Sequence, residues 1–228
     1  MRGDVRELAG ADGTGYLSSA IAKQAALAIF RRKALRQTGA MMRIIAGEAH
    51  GRRLRAPRGL HTRPTSARAR ESIFSRLAVR MDLASVRVLD IFAGSGSLGI
   101  ESLSRGAAHV TFVDSSRDAA AAIRANLAEL GFVDHARVIV SDVRRALSEL
   151  GGAHDAFDLV FVDAPFKDDM SAEVLTLLGD FNLVAPGGWI VVEQSKRAPE
   201  ASPAPIGHER VSVATIGDHR IAFYRRLG

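Results

Sequence analysis

The chain predicts an α/β protein built on a mostly parallel, doubly wound sheet, with a C-terminal antiparallel hairpin and an N-terminal basic β-hairpin arm. Three observations predict it. After Asp82, short apolar runs alternate with helix-length segments, the rhythm that lays parallel strands side by side with helices on both faces. The first of these runs ends at Asp90 and opens into Gly94-Ser95-Gly96-Ser97-Leu98-Gly99, a glycine spacing suited to a tight strand-to-helix turn. Near the C-terminus the alternation stops. Val211–Ile216 and Arg220–Tyr224 flank Gly217-Asp218, a turn pair that joins two strands directly.

Taken in order, residues 1–41 stand apart as an N-terminal extension, either disordered or the product of an over-called start, since Met41-Met42 offers a second one. Ala20–Phe30 has a short helical stripe of Ile21, Ala25 and Ile29. Asp4, Glu7 and Asp12 argue against a targeting peptide, and Arg31-Arg32-Lys33 follows the apolar stretch instead of preceding it. An amphipathic anchor is the alternative. Residues 42–82 form the next unit. Arg43–Gly47 and Arg52–Arg55 read as two short strands around Glu48–Gly51, and a helix capped by Thr65 or Ser66 follows the breakers Pro57, Gly59 and Pro64. Ile73, Leu77 and Met81 share one face of that helix, with Phe74 adjoining. Residues 83–228 form the main domain. Its expected strands are 86–91, 108–114, 137–141, 157–163 and 189–193; its expected helices are 97–105, 116–130, 143–150 and 171–179. Pro199, Pro203 and Pro205 mark the loop before the terminal hairpin.

Charge is partitioned along the chain. Residues 1–41 hold seven Lys/Arg and three Asp/Glu; residues 42–80 hold ten Arg, no Lys and two Glu; residues 81–228 hold fourteen basic and twenty acidic side chains. An acidic body with an arginine-dense arm points to a polyanion gripped by the arm, because a guanidinium fork suits phosphates and base edges. A merely solvated basic face is the plainer alternative. The chain has no cysteine, which excludes disulfides and thiolate metal sites. Its seven histidines show no ligand spacing, and no apolar run reaches the roughly 20 residues of a membrane helix. A cytoplasmic, monomeric protein without metal is expected.

The glycine loop and Asp114, twenty residues after Gly94, fit a dinucleotide fingerprint, so an NAD(P)-dependent oxidoreductase is one reading. Two features oppose it. Asp90 places a carboxylate at the mouth of the loop, where a pyrophosphate is repelled. Ser141-Asp142 places a further acceptor at the end of the third strand. S-adenosylmethionine, with an ammonium, a sulfonium and no phosphate, suits such an acidic loop. The fourth strand closes on Asp163-Ala164-Pro165-Phe166. Its ring can stack on a planar base while the carboxylate and backbone carbonyls accept hydrogen bonds from an exocyclic amine. An ordinary strand-to-loop turn is the plainer account of this string taken alone.

Asp90–Gly99, Asp114, Asp142 and Asp163–Phe166 resemble the successive motifs of class I S-adenosylmethionine-dependent methyltransferases, which implies a Rossmann-like fold. Arg43–Gly47, Gly51–Leu54, Arg63-Pro64-Thr65, Arg68-x-Arg70-Glu71-x-x-Phe74 and Gly106-Ala107-Ala108 are similar to the RsmD family in particular, over about residues 42–228. The resemblance implies methyl transfer to N2 of one guanine in 16S rRNA, within a small-subunit particle. It implies a cofactor site of Asp90, Phe92, Ala93, Gly94 and Gly96, then Asp114 and Ser115, then Asp142 and Val143. Thr65 and Arg68 would reach the cofactor's carboxylate, with helix capping as the alternative. Asp163, Ala164, Pro165 and Phe166 would hold the target base, and Arg52, Arg53, Arg55, Arg63 and Arg70 the RNA. One position departs: the family reads Asp-Pro-Pro, and Ala164 replaces the first proline while keeping the backbone carbonyl. Methylation of DNA or another RNA, and an RNA-binding module without catalysis, are the competing readings.

Overall fold

The computed structural model describes residues 42–57, 66–165, 170–198 and 203–228. The expected Ala20–Phe30 helix, Arg63, Thr65 and Phe166 lie outside them. A short hairpin comes first, β1 (Met42–Arg43) paired antiparallel to β2 (Arg53–Leu54), followed by α1 (Ala67–Ala78). The main sheet then unfolds in sequence as β3 (Arg87–Ile91), α2 (Ser97–Ser104), β4 (His109–Asp114), α3 (Arg117–Leu130), β5 (Ala136–Val140), α4 (Val143–Gly152), β6 (Phe157–Asp163), α5 (Ser171–Asp180), β7 (Val184–Ser195), β8 (His208–Ile216) and β9 (His219–Arg226).

The strand order is β5-β4-β3-β6-β7-β9-β8, parallel from β5 through β7, with β9 antiparallel to both β7 and β8. The chain enters at β3 in the middle, winds outward to β5, then returns to the other side of β3 with β6. The order therefore reverses between β3 and β6, and a doubly wound sheet opens its ligand crevice at such a switch point, beyond the carboxyl ends of the strands.

Strands covered on both faces read as continuous apolar runs, which is why β3, β4 and β6 were legible. Val88, Leu159, Phe161, Val191 and Phe223 point to one core with Ile73, Phe74 and Leu77 of α1, Leu98 and Leu103 of α2, and Ile123 of α3. The residues between them, Leu89, Val160, Val162, Val192 and Tyr224, point to a second core with Leu147 of α4 and Leu175 of α5. Ser66 caps α1, its hydroxyl accepting from the Ala69 N–H at 3.1 Å.

Besides β8, which begins three residues before the expected Val211, two elements differ from the sequence expectation. β7 begins at Val184 instead of residue 189, because an irregularity opposite Phe157–Leu159 carries it through Pro186, which has no N–H to donate to a ladder. The hairpin arm pairs over only two residues per strand. The polypeptide between its strands bonds to α2 instead: Glu48 N–H donates to the Ser104 carbonyl at 2.8 Å, and Ala49 N–H to the Ser104 hydroxyl at 3.0 Å. Gly47 permits this approach. Its φ is +85°, and a Cβ there would sit 1.7 Å from the Ser104 carbonyl oxygen, so no other residue fits.

Candidate active site

The carboxyl edge of the sheet gathers acids from four strands. Asp90 lies on β3, 1% exposed, and its Oδ2 accepts from the Gly99 N–H of α2 at 2.9 Å. Burial raises its carboxyl well above the ordinary range; the Gly99 hydrogen bond opposes this, and the charges of Asp163 and Asp114 add to it. Asp114 ends β4, with Oδ2 accepting from Gly94 N–H and Oδ1 from Ser116 N–H, each at 2.8 Å. It thus ties the glycine loop to the start of α3 while keeping lone pairs on both oxygens. Asp142 is exposed and caps α4, its Oδ1 accepting from Arg144 N–H at 2.9 Å. Asp163, half-buried, ends β6 across the switch point from Asp90.

The loop joining β3 to α2 is built for close approach. Phe92 adopts φ 59°, a left-handed conformation that costs a side-chain-bearing residue about 1–2 kcal/mol. Strain of this kind is stored where surrounding contacts enforce it, and here Ala93 N–H holds the loop to the Val113 carbonyl at 3.1 Å. Gly94 turns at φ +55°, and a Cβ on it would meet nothing nearer than the Phe92 carbonyl oxygen at 3.9 Å. The backbone there faces open space that a ligand can fill.

The structure brings Asp90, Phe92, Ala93, Gly94, Gly96, Asp114, Ser115, Asp142, Asp163, Ala164 and Pro165 to this edge. Val143 follows the Asp142 cap but is buried in the second core. Arg68 is exposed on the first turn of α1. Arg70 is not on the RNA face expected of it. It is 1% exposed, and its Nη2 donates to the Arg43 carbonyl at 3.0 Å. The favourable Glu101 charge beside it only partly offsets a desolvation that lowers its pKa. One turn along α1 from Phe74, it faces inward with the core stripe. Arg52, Arg53 and Arg55 remain at the surface, though two are engaged: Arg52 Nη2 donates to the Glu129 carbonyl at 2.9 Å, and Arg55 pairs with the Glu129 carboxylate at 3.0 Å.

Sequence reasoning missed three residues that shape this region: Glu101, Asn126 and His219. Glu101, fully buried on α2, accepts from Ile45 and Ala46 N–H groups at 2.8 and 3.0 Å and pairs with Arg105 at 2.8 Å. Asn126 joins the arm to the glycine loop through bonds to Arg55 and Ser95. Glu193 and His219 form a buried pair, Oε1 to Nδ1 2.5 Å, and Glu193 stands beside Asp163 in the β6–β7 register. Only Glu101 carried a usable signal: an acid in an otherwise apolar or small helix stretch, Ser97–Ser104.

Among the described residues no cluster of three His, Asp or Glu side chains is placed to hold a metal, and no helix is long and apolar enough to cross a membrane. The crevice suits a cationic ligand. Asp163 and Asp114 each raise the cost of ionising Asp90, and a bound cation relieves that repulsion where a pyrophosphate would add to it. Asp90→Asn tests this. The amide oxygen can still accept from Gly99 N–H. Because the folded-state pKa of Asp90 is raised, its stability contribution is full below the ordinary carboxylate range and is lost as pH rises through the folded value. The Asn variant is therefore expected to melt higher than the parent at neutral pH. That gain should vanish in acid, and affinity for a cationic cofactor should fall about tenfold or more, the equivalent of ~1.4 kcal/mol. A melting point at neutral pH equal to or below the parent's counts against the assignment.

A doubly wound sheet with an acid-rimmed glycine loop at its switch point fits a Rossmann-like, S-adenosylmethionine-dependent methyltransferase. Comparison with known proteins narrows the class. The family model described as Conserved hypothetical protein 95 matches residues 42–225. The Bacillus subtilis protein YlbH is 36% identical over 188 residues, 82% of this chain and 100% of that protein. Ribosomal RNA small subunit methyltransferase D of Escherichia coli is 37% identical over 152 residues, 67% of this chain and 74% of that protein. The solved structure of the Escherichia coli protein yhhF superposes with a TM-score of 0.71 at 34% identity, covering 82% of this chain and 99% of that one. The chain belongs to the RsmD family of methyltransferases.

Proposed function

We propose that this protein transfers a methyl group from S-adenosylmethionine to the exocyclic N2 of one guanine in 16S rRNA. The observation that carries the reading is the placement of Asp163-Ala164-Pro165 at the end of β6, directly across the switch point from the glycine loop after β3. When bound, S-adenosylmethionine supplies an electrophilic methyl carbon on a sulfonium.

The residues divide the work. Asp90 faces the cofactor's ammonium, Asp114 offers its remaining lone pairs to ribose hydroxyls, and the second Asp142 oxygen accepts from the adenine amine. Asp163 and the Ala164 carbonyl accept hydrogen bonds from the two N2–H groups of the target base, which orients the nitrogen lone pair toward the methyl carbon; the N–C bond forms as the sulfonium S–C bond breaks, and one N2 proton is then lost to solvent. Positioning in line is the main catalytic effect. The base must leave its stack to reach this edge, and Phe166, assigned from sequence, supplies the ring on which it stacks. Ala164 is buried, which supports a firm turn despite the missing proline.

Incubation with labelled S-adenosylmethionine and undermethylated small ribosomal subunits, followed by nucleoside analysis, tests the reading. N2-methylguanosine in 16S rRNA is the expected product. Label in a different nucleoside, or in DNA alone, moves the target; none at all favours a binding module.

The arm supplies the second expectation. Arg52, Arg53 and Arg55 are proposed to hold RNA phosphates. Replacing all three with Ala should weaken RNA binding strongly and make its log–log salt slope shallower by roughly two units, at about 0.7 per single-strand contact. Cofactor affinity measured without RNA should stay within a few-fold. The lost contacts to Glu129 are exposed, so stability should change by no more than about 1 kcal/mol. An unchanged salt slope takes the arm out of RNA recognition.

A further inference from the structure

Both sides of the arm meet the glycine loop at a single residue, Ser95. From β1, the Met42 sulfur lies 3.6 Å from the Ser95 hydroxyl. From Arg55, the residue that follows β2, the connection runs through Asn126, in the middle of α3 and 1% exposed. Its Oδ1 accepts from the Arg55 N–H at 2.8 Å, while its Nδ2 donates to the Arg55 carbonyl at 3.1 Å and to the Ser95 carbonyl at 3.2 Å. One buried amide thus pairs with both main-chain groups of Arg55, as a neighbouring strand would, and spends its second N–H on the loop that cradles the cofactor.

The other polar ties between this side of the arm and α3 have a different character. Arg52 and Arg55 reach Glu129, one turn beyond Asn126, through exposed side chains. Those are the arginines that RNA phosphates would recruit, and exposed pairs of this kind are weak enough to be drawn away. The Asn126 bonds are neutral, made by a buried amide and shared with main-chain atoms, so a phosphate competes poorly for them. When RNA draws the arginines from Glu129, Asn126 keeps the arm in register with the loop.

We infer that Asn126 is a positioning residue that couples the RNA arm to the methyl-donor loop: RNA on the arm tightens cofactor binding, and the cofactor steadies the arm. The reciprocity is required, since coupling between two binding sites acts equally in both directions. The inference rests on the reading of the arm as the RNA-binding element.

Equilibrium dialysis of labelled S-adenosylhomocysteine, with and without undermethylated small ribosomal subunits, measures the coupling. Subunits should tighten its binding to the parent protein by about fivefold or more, the lower end of ordinary coupling energies. In Asn126→Ser the effect should fall below about twofold, with each ligand's separate affinity held within about threefold. Glu129→Ala should retain the full effect. Subunits that bind the parent without changing its cofactor affinity overturn the inference, as does full coupling in Asn126→Ser. Subunits that do not bind the parent at all defeat the RNA reading itself, and the inference with it. Should Asn126→Ser not fold, hydrogen exchange on the parent protein decides. S-adenosylhomocysteine alone should slow exchange in residues 42–57 as well as in the glycine loop, and protection confined to the loop overturns the coupling.

Discussion

Asp163→Ala is expected to cut single-turnover methyl transfer by a hundredfold or more, about 10²–10³ being the usual loss when one preorganised hydrogen-bonding group is removed from a transition state. The residue ends β6, half-buried, and is close enough to Asp90 to raise its pKa. Removing its charge eases ionisation of Asp90, so affinity for S-adenosylhomocysteine should hold within a few-fold or improve slightly. That split separates a residue acting on the target amine from one acting on the cofactor. Asp163→Asn keeps an acceptor but puts a donor beside it, and should fall between parent and Ala variant. Normal turnover in Asp163→Ala would sink the proposed geometry; loss of cofactor binding instead would reassign Asp163 to the cofactor.

The second large effect is on stability. Glu101→Ala is expected to cost about 3–5 kcal/mol, the usual penalty for removing one partner of a buried charge pair. Its carboxylate receives the Ile45 and Ala46 N–H groups and the Arg105 guanidinium, and it compensates the charge of Arg70. Without it, two main-chain donors lose their acceptor and Arg70 loses the charge that partly compensates its burial. At about 2–4 °C per kcal/mol for a domain of this size, the melting point should drop by ~10 °C. Because the Ile45–Ala46 segment belongs to the arm, limited proteolysis should open the arm before the rest of the fold. Glu101→Gln keeps one acceptor oxygen and should lose less. A melting point within a degree or two of the parent would mean that the Glu101 contacts contribute little.

Much of this architecture could be read directly from residue patterns. The runs leading to Asp90, Asp114 and Asp163 are apolar because each strand is buried on both faces; Asp114 and Asp163 stand where burial stops, while Asp90 is itself buried one residue before the strand end. That abrupt change marks a strand end, and in a parallel sheet the strand ends fall on one edge. The glycine loop was legible for a related reason, since its conformation is a local demand on each residue's own φ and ψ. Asp90 is legible from sequence as a cofactor residue; the structure adds its contact with the Gly99 N–H at 2.9 Å, which is compatible with the role proposed for it toward the ammonium.

Polar side chains divided differently. Arg70 and Arg52 lie in the same arginine-rich stretch, yet one is buried against the Arg43 carbonyl and the other is spread on α3. Asn126 gives no sign in α3 that it serves Arg55, 71 positions away. The strand order placing β9 between β7 and β8 is equally silent in the residue pattern, since a hairpin can add to a sheet by either of its strands. Periodicity records which face of an element leaves water, so the sequence by itself determined the elements, their buried faces and the acids at the strand ends. Which distant donor meets which acceptor depends on how those faces pack. Only the tertiary structure decided that Arg70 is a core residue, that Glu101 and Asn126 fasten the arm, and that the arm reaches the glycine loop at Ser95, because a buried polar group must find its partner among whatever packing brings within hydrogen-bonding distance.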